Sequence, residues 1–220
     1  MVCPQCLGLE QEFNSDVARR ELRRYRRRGP DRTTRILIEQ IRGRGVDGRT
    51  LIDIGGGVGA IQHALLEGGA SRASSIDVSS AYHAAAADEA RRRGWTDRID
   101  QVHGDFVAVA DQVPTADIVT LDRVLCCYPD VEGLLHASAA HARRLYGMVY
   151  PRDSWWLRPA FSAANFFLRL RGSSFRIFLH PSEVVEAFLA SDGLVRVFHR
   201  IVGMWQVALF ARRGPEFGAG

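Results

Sequence analysis

Three aspartates, each closing an apolar run, carry the clearest chemistry in this sequence. Asp53 stands just before the glycines of "IGGGVGA", Asp77 closes "RASSID", and Asp105 closes "VHGD". Gly55, Gly57 and Ala60 have the spacing of a dinucleotide-binding turn, where glycine lets the chain bend sharply and lets a ligand approach a helix N-terminus. An acid directly ahead of that turn would repel a pyrophosphate. S-adenosylmethionine instead carries an ammonium and a sulfonium, and a carboxylate at Asp53 attracts it with a charged hydrogen bond worth roughly 1.5 to 3 kcal/mol. Asp77 follows Asp53 at about the interval expected of a ribose-binding carboxylate. Asp105 can accept from the exocyclic amine of adenine, with Phe106 against the ring. Any one of these acids would also serve as a helix cap; three at successive strand ends mark one crevice above a parallel sheet.

Such a crevice needs alternating elements to build it. The apolar runs "TLIDIG", "RASSIDV", "RIDQVHGD", "ADIVTLDRV" and "LYGMVYP" read as strands, with helical stretches near 58–67, 80–93 and 131–144. This βαβ rhythm predicts a parallel sheet covered on both faces. Two helices precede it. One is capped by Ser15 or Asp16 and ended by Gly29-Pro30; the other, "DRTTRILIEQIR", starts at Asp31 and turns Ile36, Leu37 and Ile41 inward. Near the C-terminus, "LVRVFHRIV" and "MWQVALFARR" are separated by Gly203 alone, too short a link for a helix, which predicts an antiparallel pair.

The segments "LIDIGGGVGAI", "SSIDVSS", "HGDF" and "DIVTLDRVL", with the final strand pair, resemble a class I S-adenosylmethionine-dependent methyltransferase over roughly residues 33–212. The resemblance implies a three-layer α/β, Rossmann-like fold with a seven-stranded, mostly parallel sheet and an antiparallel last strand. It implies S-adenosyl-L-methionine as cofactor and S-adenosyl-L-homocysteine as product. The cofactor-binding set it gives is Asp53, Gly55, Gly56, Gly57 and Gly59 for the methionine end, Asp77 for the ribose, Asp105 with Phe106 for the adenine, and Val78 and Leu121 beside them. Residues 1–32 then form an N-terminal helical arm or lid on a methyltransferase domain of residues 33–213. "LDRVLCCYPD", "SSFRIFLHPSEVVEAF" and "MWQVALFAR" are similar to the magnesium-protoporphyrin O-methyltransferase branch. That branch has a histidine directly before its Tyr-Pro pair, where this chain has Cys127, so only the broader family is carried over.

The acceptor side is drawn from residues after the fourth strand, namely Asp122, Arg123, Cys126, Cys127 and Tyr128. Tyr128 precedes Pro129, which pushes it out of the helical region. Tyr25 on the basic helix can fold over the cofactor or pack on the second helix. His180 reads as a helix cap or as a base. Tyr25, Tyr128 and His180 are the catalytic candidates. The other histidines show no metal-ligand spacing. Cys3 and Cys6 in "CPQC" have the spacing of half a zinc site, but two thiolates are not four, and no metal is assigned. "SWWLRPAFSAANFFLRLRGSSF" is the most aromatic part of the chain; such a surface suits a flat or lipophilic acceptor, a homodimer contact or peripheral membrane attachment.

Composition narrows the classes. The 220 residues are 46% hydrophobic and 25% charged, within the globular range. No run of about 18 apolar residues is present to span a bilayer, and the N-terminus lacks a signal-peptide layout, so a cytoplasmic location is expected. The net charge of +4 rests on arginine alone, since the chain contains no lysine, and seven arginines lie between Arg19 and Arg28. These can be a solvated helix face, a lid over an anionic substrate or a nucleic-acid arm. The sequence therefore predicts methyl transfer to an oxygen or nitrogen of a small, largely apolar molecule. The alternatives are an RNA methyltransferase using the basic helix and an NAD-dependent Rossmann oxidoreductase.

Overall fold

Seven apolar runs pair into one sheet: Thr50–Ile54 (β1), Arg72–Asp77 (β2), Ile99–His103 (β3), Ala116–Asp122 (β4), Ala142–Pro151 (β5), Leu194–Val202 (β6) and Trp205–Arg212 (β7). Their order in this computed structural model, which describes residues 4–214, is β3-β2-β1-β4-β5-β7-β6. The first five strands are parallel, and β7 lies antiparallel between β5 and β6. β1 and β7 are nearly continuous buried runs, as expected where helices cover both faces. Arg32–Arg42 (α3), Ala60–Glu67 (α4) and Ser80–Arg93 (α5) contribute Leu37, Ile41, Leu65 and Ala90 to one core. Phe106–Val109 (α6), Val131–His141 (α7) and Ser182–Ser191 (α9) contribute Phe106, Leu134, Leu135, Val185 and Leu189 to the other. The expected three-layer architecture is present. Strand order reverses between β1 and β4, and a crevice opens there beyond the carboxyl ends of the strands.

Several boundaries differ from expectation. Among the described residues three helices, not two, precede β1, because Pro4–Glu12 (α1) lies ahead of Ser15–Arg28 (α2). Asn14, rather than Ser15 or Asp16, caps α2, its side chain accepting from the N–H groups of Asp16 and Val17. β5 begins three residues before the predicted Leu145, since Arg212 donates to the carbonyls of Ala139 (2.6 Å) and Ala142 (2.7 Å) and so takes up groups that a longer helix would need. The β6–β7 link is Gly203-Met204 rather than Gly203 alone. Gly203 has φ +62°, the conformation a tight two-residue hairpin requires at its first position. Leu157–Leu170 (α8) follows β5.

The basic helix is tied into the fold. Its Ala18, Leu22 and Tyr25 pack with Val58, Tyr82 and Ala85. Arg26 donates to buried Glu89 (2.8 Å) and to Asp88 (3.1 Å), while Arg24 pairs with Asp31.

Candidate active site

β1 delivers Asp53 to the floor of the crevice, opposite Thr120 of β4. The carboxylate is buried. Its Oδ1 accepts from Thr120 Oγ1 at 2.7 Å, and its Oδ2 has no hydrogen-bond partner. Burial pushes its pKa up to about 7; the Thr120 bond and a weak pull from the Gln62 backbone oppose that rise, and the charges of Asp122 and Asp77 add to it. A half-satisfied buried carboxylate of this kind calls for a cation or a strong donor.

The glycine turn leaves room beside it. Gly55 has φ +63°, and a Cβ there would lie 2.5 Å from Val124 Cγ2. A Cβ on Gly56 would meet Ser75 Oγ at 3.0 Å and Asp53 Oδ2 at 3.1 Å, so bare backbone keeps the acid accessible. Asp77 holds this turn in place: its Oδ2 accepts from Gly57 N–H (3.0 Å) and its Oδ1 from Ser79 N–H (2.9 Å). Burial raises its pKa against those two bonds. One lone pair on each oxygen remains for a further donor.

Asp105 caps α6 through Val107 N–H (3.2 Å), and the same Oδ1 accepts from Tyr128 Oη at 2.7 Å. Val78 lines the crevice with these acids. Two expected contacts differ. Leu121 points into the core and Asp122, one residue on, takes its place at the cleft. Gly59 starts α4 in the left-handed conformation behind the lining. Phe106 lines the cleft as expected, with its ring largely buried against His141 at 5.4 Å between centroids.

The crevice continues as one chamber of about 610 Å³ past the ends of β4 and β5. Asp122 and Arg123 stand at the junction. Arg123 is the only residue other than glycine with positive φ among those described, at 63°. That conformation is strained for a side chain and it is over-determined by contacts. The guanidinium donates to Asp31 Oδ2 and Thr33 Oγ1, both at 3.0 Å, and lies 5.1 Å above the Trp205 ring. Arg24 and then Arg123 hold the Asp31 carboxyl below its usual range. Thr34 donates to Asp122 Oδ2, while burial raises Asp122 despite the nearby Arg123 charge.

Beyond this junction the walls are apolar: Leu9, Phe175, Ile177, Cys126, Cys127 and Trp205. α1 closes one side. Gln5 Nε2 donates to the carbonyls of Cys127 (2.9 Å) and Arg176 (2.7 Å), and Gln5 Oε1 accepts from Arg176 N–H (3.0 Å). Gly8 allows the approach, because a Cβ there would sit 2.2 Å from Phe175 N. Sequence reading missed α1, Asp31, Thr34 and Trp205. Gly8 inside a helix was the one local signal of close packing.

Two of the three catalytic candidates line the cleft and one does not. Tyr128 lines the cleft, and burial followed by the Asp105 carboxylate pushes its phenol up, so it is a donor and not a base. Tyr25 also lines the cleft, but its ring stacks on His63 at 6.2 Å and under Arg93 at 5.6 Å, against α4 and α5 rather than against the second helix. Burial raises its phenol too. His180 lies outside the lining. Its Nε2 faces the carbonyls of Leu125 (3.0 Å) and Tyr128 (3.1 Å) and therefore carries the proton, which makes His180 a brace for the turn. Pro181, not His180, occupies the cap position of α9. Contact with Cys126 and burial push the Cys127 thiol up, so no thiolate base stands before Tyr128. Cys3 lies outside the described residues. Among the described residues no group of His, Cys, Asp and Glu could hold a metal ion.

A carboxylate-lined glycine cleft on a mostly parallel seven-stranded sheet defines a methyltransferase-like site, and comparison with known proteins agrees. The profile of the O-methyltransferase domain matches residues 33–148. The chain belongs to that family: it is a methyltransferase that uses S-adenosylmethionine. Among solved structures it is similar to magnesium protoporphyrin IX methyltransferase (ChlM) from Synechocystis with bound SAM, at 15% identity and TM-score 0.70, covering 97% of this chain and 99% of that one. It is also similar to an O-methyltransferase family 2 protein from Planctomyces limnophilus in complex with apigenin, at 19% identity and TM-score 0.60, covering 84% of this chain and 63% of that one. At these identities the likeness is one of fold. A search of curated proteins gives no match.

Proposed function

We propose that this chain methylates an oxygen of a small, largely apolar acceptor held between the glycine turn and the wall formed by Leu9, Phe175, Ile177 and Trp205. The observation that carries the reading is a single chamber with unlike ends. One end is lined by Asp53, Asp77 and Asp105, and the other by apolar side chains.

The residues present suit the cofactor. Asp53 Oδ2, unpartnered and buried, would receive the ammonium; Asp77 would receive the ribose hydroxyls; Asp105 would receive the adenine amine. S-adenosylmethionine supplies an electrophilic methyl group on a sulfonium, displaced in line by the acceptor's lone pair. The chain contributes alignment and exclusion of water, an effect worth as much as roughly 7 to 11 kcal/mol. α1 and the 173–178 segment close over the acceptor end through Gln5, and we assign the arm of residues 1–32 the part of a lid. Asp122, raised by burial at the junction, would take the proton of a phenol or hydroxyl; a carboxylate acceptor would need no base.

The test is transfer of label from S-adenosylmethionine to a panel of flat phenols, aromatic carboxylic acids and amines, with total RNA in parallel. Label is expected in the oxygen acceptors. Transfer to RNA alone, or to amines alone, would refute the proposal.

A further inference from the structure

α8 has two apolar sides and only one is covered. Leu157 and Phe161 turn inward and pack with Cys126, Ile177 and Trp205 behind the chamber wall. On the other side Pro159, Ala163, Phe166 and Leu170 recur at i, i+4, i+7 and i+11, with Phe167 alongside. Phe166, Phe167 and Leu170 are 58%, 59% and 68% exposed, and Trp155, just before the helix, is 83% exposed. A contiguous apolar face of this kind marks an interaction surface.

Charge identifies what it meets. α8 contains no acidic residue, and Arg158, Arg169 and Arg171 flank the stripe. Over residues 152–176, five arginines (152, 158, 169, 171 and 176) face one acid, Asp153, a surplus of four. The whole chain has a formal charge of +4, so this segment holds the entire excess and the remainder is balanced. A second copy seated on the same face would bring arginine rim against arginine rim. Anionic headgroups would neutralise it, with tryptophan at their level and phenylalanine below. At 14 residues the helix is about 21 Å long. No described helix is long and apolar enough to cross a membrane, and a short helix with a wide apolar face lies in the plane of the surface.

We propose that the outward face of α8 docks this protein on a bilayer containing anionic phospholipid. The proposal is independent of the methyl acceptor and of cofactor binding. The inward face of the same helix backs the apolar end of the chamber, which places that end next to the lipid.

The full chain is sedimented with phosphatidylcholine vesicles, with and without phosphatidylglycerol, at low and high salt. Wild type should bind the anionic vesicles at least about tenfold more tightly than the neutral ones, and more weakly at high salt. Phe166→Ser/Phe167→Ser/Leu170→Ser should lose at least about tenfold of that binding, and Arg169→Gln/Arg171→Gln most of the salt dependence. Both variants should keep the wild-type melting temperature, since the replaced side chains face solvent. Absence of vesicle binding by wild type, or equal binding by the triple variant, overturns the proposal. So does a wild-type dimer in light scattering that the triple variant converts to monomer, which would assign the face to a second copy.

Discussion

The Tyr128 hydroxyl donates to Asp105 Oδ1 at 2.7 Å, joining the turn after β4 to the loop after β3 across the rim of the cleft. The same oxygen already accepts from Val107 N–H, so Tyr128 helps fix which face of the carboxylate stays open. Tyr128→Phe should weaken S-adenosylhomocysteine binding about threefold to tenfold, the effect of about 0.7 to 1.4 kcal/mol, because the lost hydrogen bond positions the carboxylate rather than touching the ligand. Calorimetric titration measures it. Unchanged affinity with a lower kcat would place Tyr128 with the acceptor instead.

Gln5 is the hinge pin of the arm. Removing its amide leaves two carbonyls and one N–H without partners between α1 and the 173–178 segment. Gln5→Ala should speed hydrogen exchange across residues 4–12 by at least about tenfold and leave the sheet protected, as local opening requires. Exchange that is unchanged in α1, or faster throughout β1, β4 and β5, would show that α1 is not a separately opening unit.

The strands, their direction and the three acids were legible because a buried parallel strand is a run of apolar residues and its end is marked where the run meets a charge. The first helix of the arm was not legible. α1 lacks a periodic apolar face, and its contacts join Gln5 and Gly8 to residues more than 120 positions away. Leu121 and Asp122 show a different limit: neighbours on a strand point to opposite faces, and the sequence does not say which neighbour ends at the cleft. The basic helix left a solvated face, a lid and a nucleic-acid arm open because two of its partners, Glu89 and Asp31, lie outside it.

Glu89 gathers Arg26, Arg92 and Arg93 on one buried carboxylate, and despite burial these three guanidiniums hold its pKa below the usual range. The arginines retain part of their water, so Glu89→Gln should cost about 2 kcal/mol rather than the larger loss of a fully buried pair. That corresponds to a fall of roughly 4 to 8 °C in Tm for a chain of this size. A carboxyl with a lowered folded pKa stabilises above its unfolded value and loses that contribution as pH falls. The difference between wild type and variant should therefore shrink below about pH 4.5. A constant difference in thermal melts across pH would mean that packing, not charge, is responsible.

Asp53 carries the opposite sign. Its folded pKa is raised from 3.8 to about 7, so between those values the folded chain holds a proton that the unfolded chain has released, and stability falls as pH rises. The penalty is complete above about pH 7 and is on the order of 4 kcal/mol. Asp53→Asn removes it, and the cofactor-free variant should melt higher than wild type at pH 8 and almost equally near pH 4. Binding should move the other way. An ammonium seated on Oδ2 selects the ionised carboxylate, so wild-type affinity for S-adenosylhomocysteine should climb by up to about tenfold per pH unit between 5 and 7 and then level. Asp77 and Asp122, raised in the same direction, preserve part of that slope in the variant. Asp53→Asn should bind at least about tenfold more weakly at pH 7.5, with one fewer proton released near pH 6 when titrations in buffers of different ionisation enthalpy are compared. If the variant melts higher at pH 8 yet binds as tightly as wild type, the buried charge destabilises the fold without serving the ligand, and the methionine end of the site lies elsewhere.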